Sequence, residues 1–410
     1  MKKTALVVNA GTHPEPYHVA VGLANIGWSV EYLTGSQLAP TAATRAIMRL
    51  APVRFREYFS ARTLGADARN LNRFFYEGLW EELLYLLLRH RFSRIAAKAV
   101  ARRTQKVARR AARLLTRGEP YDLVLAQHTS ALVPFASAPE STGRVLLQPI
   151  LDAETLNSVL LAEAEANPSW AELLPPPVDT TQQKREIELS QLVITGSELV
   201  AQPIRRKYGK PVFCAHYGTV PSTTHGARPS LDRLGPLQLL FAGQANQRKG
   251  IGYLLDAVRE CEQNFELRVA GQAGDRVRHR AADMPHVTFL GALSRVDLER
   301  EYWRADLLVL PSLAEGFALV VSEAMSTGLP CVVSDQTGAH EIIRDGENGF
   351  VVDAGDAVAL RDVLMHLAAN RHILGRVSER ARVTAENLTW EKFGRLVASR
   401  IDHHQFEGAQ

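Results

Sequence analysis

The 410-residue chain has only three cysteines, Cys214, Cys261 and Cys331, odd in number and far apart. That spacing excludes a disulfide framework and the common zinc and redox motifs, and it suits a reducing cytoplasm. Neither a G-x-x-x-x-G-K-[ST] loop nor a G-x-G-x-x-G fingerprint occurs, which argues against an ATPase and a dinucleotide-dependent dehydrogenase. Long apolar runs are missing too. The longest leucine-rich one, Leu83–Leu88, has six residues, against the roughly 18 that a membrane-spanning helix needs. The opening MKKTALVVNAG reads as two lysines and a buried strand rather than as a secretory leader.

Acids are absent from Arg89 to Arg117, where eleven Lys and Arg crowd together. Ile95, Ala99, Val107, Ala111 and Leu114 recur there at roughly helical spacing, so the segment 89–117 reads as an amphipathic basic helix. It lacks the interleaved aromatics that stack bases, which argues against single-stranded nucleic acid. Three readings stay open: a solvated helix packed by one stripe, a peripheral contact with an anionic membrane surface, and a polyanionic acceptor or nucleic acid. Net charge over the whole chain is only +4, so the basic character is local.

What is present is an ordinary soluble composition, 46% hydrophobic and 22% charged, long enough for two domains with separate cores. Buried-strand patterns occur at Thr4–Asn9, Ser29–Leu33, Tyr121–Ala126, Val145–Gln148 and Gln191–Ile194, and helical patterns fall between them. A second series runs through Leu237–Gly243, Leu267–Gly271, Val287–Gly291, Leu307–Leu310 and Cys331–Ser334. Strands alternating with helices predict parallel α/β sheets. Residues 40–118 show helical patterns and no clear strand. Asn167–Gln183, with three consecutive prolines at 175–177, reads as a stiff linker, and Pro221–Gly235 as a polar connector.

The most informative stretch is Asp306–Phe350: strand, loop, helix, strand at the spacing of a parallel βαβ unit. Its first loop lies at the carboxyl edge of the sheet, where open α/β folds bind ligands. Glu315 stands in that loop and Glu323 follows eight residues on, roughly 12 Å along a helix. With the helix starting near Phe317, the free amides of Gly316, Phe317, Ala318 and Leu319 suit a phosphate. The flanking acids cannot bind phosphate themselves. They suit hydroxyls on either side of it, a sugar at one end and a ribose at the other.

A second motif, Gly243-Gln244-Ala245-Asn246-Gln247-Arg248-Lys249-Gly250, places two cations in a glycine-flanked loop between a strand and a helix. Such a loop can bring Arg248 and Lys249 onto a diphosphate leaving group. His128 follows the strand Tyr121–Ala126 and faces the cleft by its position at a strand's carboxyl end.

The run EGFALVVSEAMSTGLPCVVSD at Glu315–Asp335 resembles the E-x7-E signature of retaining GT-B glycosyltransferases, glycosyltransferase family 4. The resemblance is strong over about 190–355 and architectural before that. It implies two doubly wound Rossmann-like domains facing across a cleft: an acceptor-binding domain (1–205, with a helical insertion at about 40–118), a nucleotide-sugar-binding domain (206–386), and a terminal helix (387–410) crossing back to the first. It implies Glu315 on the donor sugar, Glu323 on the ribose, Arg248 and Lys249 with Gly243 and Gln244 at the phosphates, and His128 near the reacting carbon. Gly11 would approach donor and acceptor, and Leu290 and Leu293 the base. Relatives commonly carry Arg at the position of Gln244, Gly at Ala318 and Asn at Tyr217. The first departure leaves Arg248 or the Gln244 amide to substitute; the second is expected to be tolerated, because the phosphate needs the amide.

The function expected is retaining transfer of a sugar from a UDP- or GDP-sugar to a hydroxyl on a glycan, lipid-linked or small-molecule acceptor. The setting would be the cytoplasm or the inner face of its membrane, in cell-surface polysaccharide or glycolipid assembly. No metal or other cofactor is implied; the chain lacks the Asp-x-Asp of the other main glycosyltransferase fold. The alternatives are a non-catalytic nucleotide-sugar-binding protein on the same fold, a natural-product glycosyltransferase, a nucleotide-sugar 2-epimerase, and a membrane adaptor built on the basic helix.

Overall fold

A computed structural model describes residues 2–39, 62–88, 93–118, 120–222 and 234–406, with 41, 44, 49 and 228. Most of the expected connector 221–235 and the first residues of the basic segment lie outside the described residues. The strands are β1 (Thr4–Asn9), β2 (Ser29–Thr34), β3 (Arg73–Tyr76), β4 (Leu123–Gln127), β5 (Gly143–Gln148), β6 (Leu192–Thr195), β7 (Val212–Cys214), β8 (Leu237–Ala242), β9 (Phe265–Ala270), β10 (Val287–Gly291), β11 (Leu307–Leu310), β12 (Cys331–Ser334) and β13 (Phe350–Val352). In the first half the helices are α1 (Glu15–Asn25), α2 (Leu79–Leu88), α3 (Ser93–Arg117), α4 (Leu132–Ser137), α5 (Ala153–Ala166), α6 (Thr180–Leu189) and α7 (Glu198–Tyr208). In the second they are α8 (Ile251–Val258), α9 (Asp275–Arg280), α10 (Arg295–Arg304), α11 (Leu319–Ser326), α12 (Ala357–Ala369), α13 (His372–Glu386) and α14 (Trp390–Asp402).

Two parallel sheets result, ordered β3-β2-β1-β4-β5-β6-β7 and β10-β9-β8-β11-β12-β13. In each the strand order reverses once, between β1 and β4 and between β8 and β11, and ligands of doubly wound sheets bind at that crevice. Both faces of the first sheet are buried, as all-parallel sheets require. Ala5, Val7, Val30, Leu123 and Val145 face one core, while Leu6, Val8, Leu33, Val124 and Leu146 face the other. The two-residue period of a strand sorts neighbours to opposite sides.

Three sequence expectations need correction. The strand-free reading of 40–118 fails at β3, which pairs with β2 from Glu31↔Arg73 to Thr34↔Tyr76. Four residues at a half-exposed sheet edge are too few to show an alternation. The entry to the second half also shifts, because β7 joins the first sheet beside β6. Finally, 167–183 is no mere linker: Trp170 and Leu173 are buried in the core of the second sheet. Proline-rich composition reports stiffness and says nothing about what the stiff segment packs on.

The terminal helix α14 does return to the first half. Trp390, Phe393, Val397 and Ile401 share a core with Val19 and Leu23 of α1, and Asp402 accepts hydrogen bonds from Trp28 Nε1 (3.0 Å) and Lys3 Nζ (2.9 Å). The two helices touch backbone to backbone. A Cβ on Gly394 would overlap the His18 carbonyl, and one on Gly22 would overlap Gly394. Gly394→Ala therefore forces the helices apart and should cost about 1–3 kcal/mol in urea unfolding. Leu396→Ala on the exposed face of α14 should change stability by about 0.5 kcal/mol or less.

Candidate active site

The site grows from the carboxyl ends of β8 and β11. After β8 the chain forms a tight 3-10 turn, Gln247–Lys249, whose start is capped by the Asn246 side chain accepting from the Lys249 amide. That turn aims Arg248 and Lys249 at the loop after β11. Lys249 Nζ lies 2.5 Å and Arg248 Nη1 2.8 Å from the same oxygen of Glu315. Arg248 also donates to the Ala314 carbonyl (2.6 Å), and its own carbonyl accepts from the Leu313 amide (2.9 Å). The three charged side chains are largely buried. Burial alone would raise Glu315, but the charges and hydrogen bonds of Lys249 and Arg248 prevail and hold its carboxyl below the ordinary range. Burial depresses the Lys249 ammonium, and Arg248 adds to this, against the pull of Glu315. Two cations on one carboxylate leave a positive charge over for an anion.

Beyond Glu315 the chain meets the first half. Gly316 sits so close to Pro149 that a Cβ would overlap its carbonyl. The Phe317 ring turns away from the site into an aromatic cluster, stacked on His216 (5.5 Å between centroids) and edge-on to Tyr217 (5.6 Å). Tyr217 in turn stacks on Trp390 (6.0 Å). The Phe317 side chain therefore ties the two halves together. Tyr217, standing where relatives carry Asn, is part of the same tie. Among the described residues the amides of Gly316, Phe317 and Ala318 have no acceptor within the chain. Helix α11 begins at Leu319, two residues later than expected, with Ala318 as its N-cap at φ 60°, ψ 71°. That left-handed conformation is where a Cβ is crowded by its own backbone.

Glu323 lies on α11. Burial raises its carboxyl, although Arg295 opposes this and the Tyr302 hydroxyl donates to it at 3.3 Å. Arg295 opens α10, two residues past Leu293, so the loop after β10 lies beside Glu323. The ends of β8, β9 and β10 are laced together: Gly243 N donates to Ala270 O and Gly271 N to Gly291 O, both at 2.8 Å. Leu290 and Leu293 are half-buried against this core. Gln244, by contrast, is exposed and makes no side-chain hydrogen bond among the described residues.

On the first half, the Gly11 amide bonds Asn9 Oδ1 (3.1 Å), and Gly11 lies against the His13 ring. His128 follows β4 with a buried Nδ1 that has no hydrogen-bond partner among the described residues. Burial, with His13 adding to it, lowers the His128 imidazole to about 4, so it is neutral at pH 7. Sequence reasoning passed over Glu15, at the start of α1. It is buried, its Oε2 lies 4.0 Å from His13 Nδ1 with no hydrogen-bond partner among the described residues, and burial raises its carboxyl to about 7.

Two further roles went unread. Ser197 stands at the N-cap position of α7 without a side-chain capping bond; the Glu341 carboxylate accepts from the amides of Glu198 (3.0 Å) and Leu199 (2.9 Å) in its place. Glu341 also forms, with Cys214 and His216, a group whose ligand atoms lie within 4.8 Å of one another. His216 Nδ1 sits 3.1 Å from the Gly196 carbonyl, so these groups are engaged in joining the two halves.

Residues 236–370 match the family model of glycosyl transferases group 1. The phosphatidyl-myo-inositol mannosyltransferase of Mycobacterium leprae is 33% identical over 175 residues, 41% of this chain and 46% of that one. The D-inositol 3-phosphate glycosyltransferase of Xylanimonas cellulosilytica is 30% identical over 235 residues, 51% of this chain and 56% of that one. The matched stretches thus span about half the length of these relatives. In three dimensions the Anabaena protein HepE, solved with UDP and glucose, superposes with a TM-score of 0.62 at 16% identity, over 98% of this chain and 100% of that one. Sucrose-phosphate synthase from Thermosynechococcus elongatus gives 0.60 at 18% identity, over 98% of each chain. The two facing sheets with their returning helix are the GT-B fold. Within it, residues 236–370 are a group 1 glycosyltransferase domain.

Ala318→Gly relieves the left-handed strain at the head of α11 and should stabilise the chain by about 1 kcal/mol in urea unfolding, net of the extra freedom glycine brings to the unfolded state. The amide at 318 is unchanged by this substitution, so nucleotide affinity should hold.

Proposed function

We propose that the chain is a retaining glycosyltransferase that moves a sugar from a nucleoside diphosphate sugar to a hydroxyl acceptor. The observation that carries this reading is the convergence of Arg248 and Lys249 on Glu315, immediately before the uncommitted amides of Gly316–Ala318 and the half-buried Glu323. The diphosphate would take the amides and share the two cations, which offset the charge that grows on the leaving oxygen. Glu315 would orient the sugar hydroxyls and Glu323 the ribose. The anomeric carbon–oxygen bond to phosphate breaks as the acceptor oxygen bonds on the same face, and the acceptor proton passes to the departing phosphate oxygen. His128, neutral and with no hydrogen-bond partner at Nδ1 among the described residues, would offer a hydrogen bond near the reacting carbon without adding charge. On this scheme the side chains and amides supply the positive charge, and transfer needs no metal.

Thermal unfolding with UDP, GDP and ADP tests the donor site. One of them at 100 times its dissociation constant should add about 2.7 kcal/mol, and Glu323→Ala should weaken the response. No shift with any of the three would contradict the proposal.

The acceptor side is read from α2 and α3. Helix α2 carries its charges inward and its apolar residues outward. Glu81 is paired with Lys106 (2.7 Å) and the buried Glu82 with Arg103, while Trp80 is 79% and Leu87 60% exposed. Beside it, Lys98, Arg102, Lys106, Arg109, Arg113 and Arg117 form an exposed row down α3 at three- and four-residue steps. An apolar face beside a row of cations fits an anionic bilayer surface. A cleft of about 480 Å³ opens alongside, lined by Thr104, Gln105, Arg109, Thr129, Ser130 and Gln182 among others, with room for a hydroxyl-bearing head group. The names of the two relatives, which carry phosphatidyl-myo-inositol and inositol 3-phosphate, support an anionic acceptor of this kind. Changing Lys98, Arg102, Arg109 and Arg113 to Glu should abolish co-flotation with phosphatidylglycerol vesicles while leaving the nucleotide-induced thermal shift unchanged. Undiminished flotation would remove the membrane reading.

A further inference from the structure

The loop that bears Arg248 and Lys249 is held from the first half of the chain. Helix α5 leaves the first sheet after β5, and its Leu156 and Leu160 pack in a first-half core. Its last turn reaches the other side. Glu163, buried at 7% exposure, accepts from Gln247 Nε2 at 2.7 Å and from the Tyr253 hydroxyl at 2.8 and 2.7 Å, one proton shared between its two oxygens. Asn167 completes the set, donating to Tyr253 Oη at 2.7 Å and to Glu163 at 3.3 Å. Three residues on, Trp170 donates to Asp256 of α8 at 2.8 Å and is buried in the second-half core. Burial and the acceptor oxygens of Glu163 push the Tyr253 phenol well up, so it remains a donor.

Gln247 is the residue before Arg248 and is fully buried. Its amide group is used at both ends: Nε2 donates to Glu163, and Oε1 accepts from the Gly252 amide at 3.1 Å. Its carbonyl also closes the 3-10 turn by accepting from the Gly250 amide at 2.8 Å. The turn that orients Arg248 and Lys249 is therefore pinned at Gln247. A buried carboxylate is costly unless its acceptors are filled, and here Gln247 and Tyr253, both near the phosphate loop, fill them.

We infer that Glu163 is a positioning residue: through Gln247 it sets the register of the turn whose Arg248 and Lys249 meet the diphosphate. The inference rests on the donor-site reading above and adds a residue 84 positions upstream of Gln247, on the other half of the chain. Its chemistry predicts a reciprocal rescue. In Glu163→Gln the amide keeps one acceptor oxygen where the carboxylate had two, so its NH2 group meets either the donor of Gln247 or the donors of Tyr253 and Asn167, and in Gln247→Glu two carboxylates face each other. In the double variant Glu163→Gln/Gln247→Glu the polarity of the pair is reversed. The amide now at position 163 donates to the carboxylate now at position 247 and still accepts from Tyr253. That carboxylate still accepts from the Gly252 amide.

The test is titration calorimetry of the full-length chain with UDP, GDP and ADP, together with urea unfolding in the absence of nucleotide. Each single variant should weaken the preferred nucleotide about tenfold or more, as sub-ångström misplacement of binding groups does. The double variant should return to within about threefold of wild type. Single variants that lose stability but keep wild-type affinity would overturn the inference, as would a double variant that regains stability without affinity. Tyr253→Phe, which removes one donor and keeps the ring, answers the same question if Glu163→Gln does not fold: a drop in affinity of about threefold or more supports positioning, and none overturns it. A wild type that binds none of the three nucleotides is a different failure, that of the donor-site reading itself.

Discussion

The Glu315 carboxylate, held between Arg248 and Lys249, is the interaction on which the rest of the molecule depends. A buried acid survives only with its charge matched, and here one acid meets two cations carried by a different strand end. The arrangement fixes the loops after β8 and β11 to each other and stores an unspent positive charge at the crevice where the strand order reverses. Everything around it serves to keep that geometry: the 3-10 turn behind the cations, the Gly316–Pro149 contact beside the acid, and the Phe317 ring locked among His216 and Tyr217.

How much of this was readable follows from how far each interaction reaches along the chain. The strands were legible because fully buried parallel strands are short apolar runs with turns at their ends, and four of them were placed to the residue. Glu315, Glu323, Arg248 and Lys249 were legible because motif spacing is local. That Glu315 pairs with the cations rather than standing free was not, since its partners sit on a different strand end, 67 positions away in the case of Arg248. Ala318 and Phe317 show a subtler limit. The residue types were read for their amides, whereas the structure gives Ala318 a strained backbone and Phe317 a packing role.

Longer reach hid more. Glu163, Asn167 and Trp170 lie on a helix end and a proline-rich segment whose composition resembles a linker, and nothing local marks their partners 84 to 86 residues away. The inside-out polarity of α2 was equally silent, because its acids look solvent-facing until α3 is placed against them. Strand β3 was missed for the opposite reason: it is too short and too exposed to leave a pattern.

The placement of Trp170 and Leu173 within the second core bears on modularity. Two sheets joined by a connector look like interchangeable cassettes, in which a donor-binding half could be grafted onto a foreign acceptor-binding half. Here the graft would carry a hole where an indole from the other cassette belongs, and the discarded half would keep an arm with nothing to hold. Recombination at the connector alone would therefore yield chimeras that fail in the donor half first. Exchange that works has to cut twice, transferring 163–173, which carries Glu163, Asn167, Trp170 and Leu173, together with the second sheet and leaving Leu156 and Leu160 in the first core.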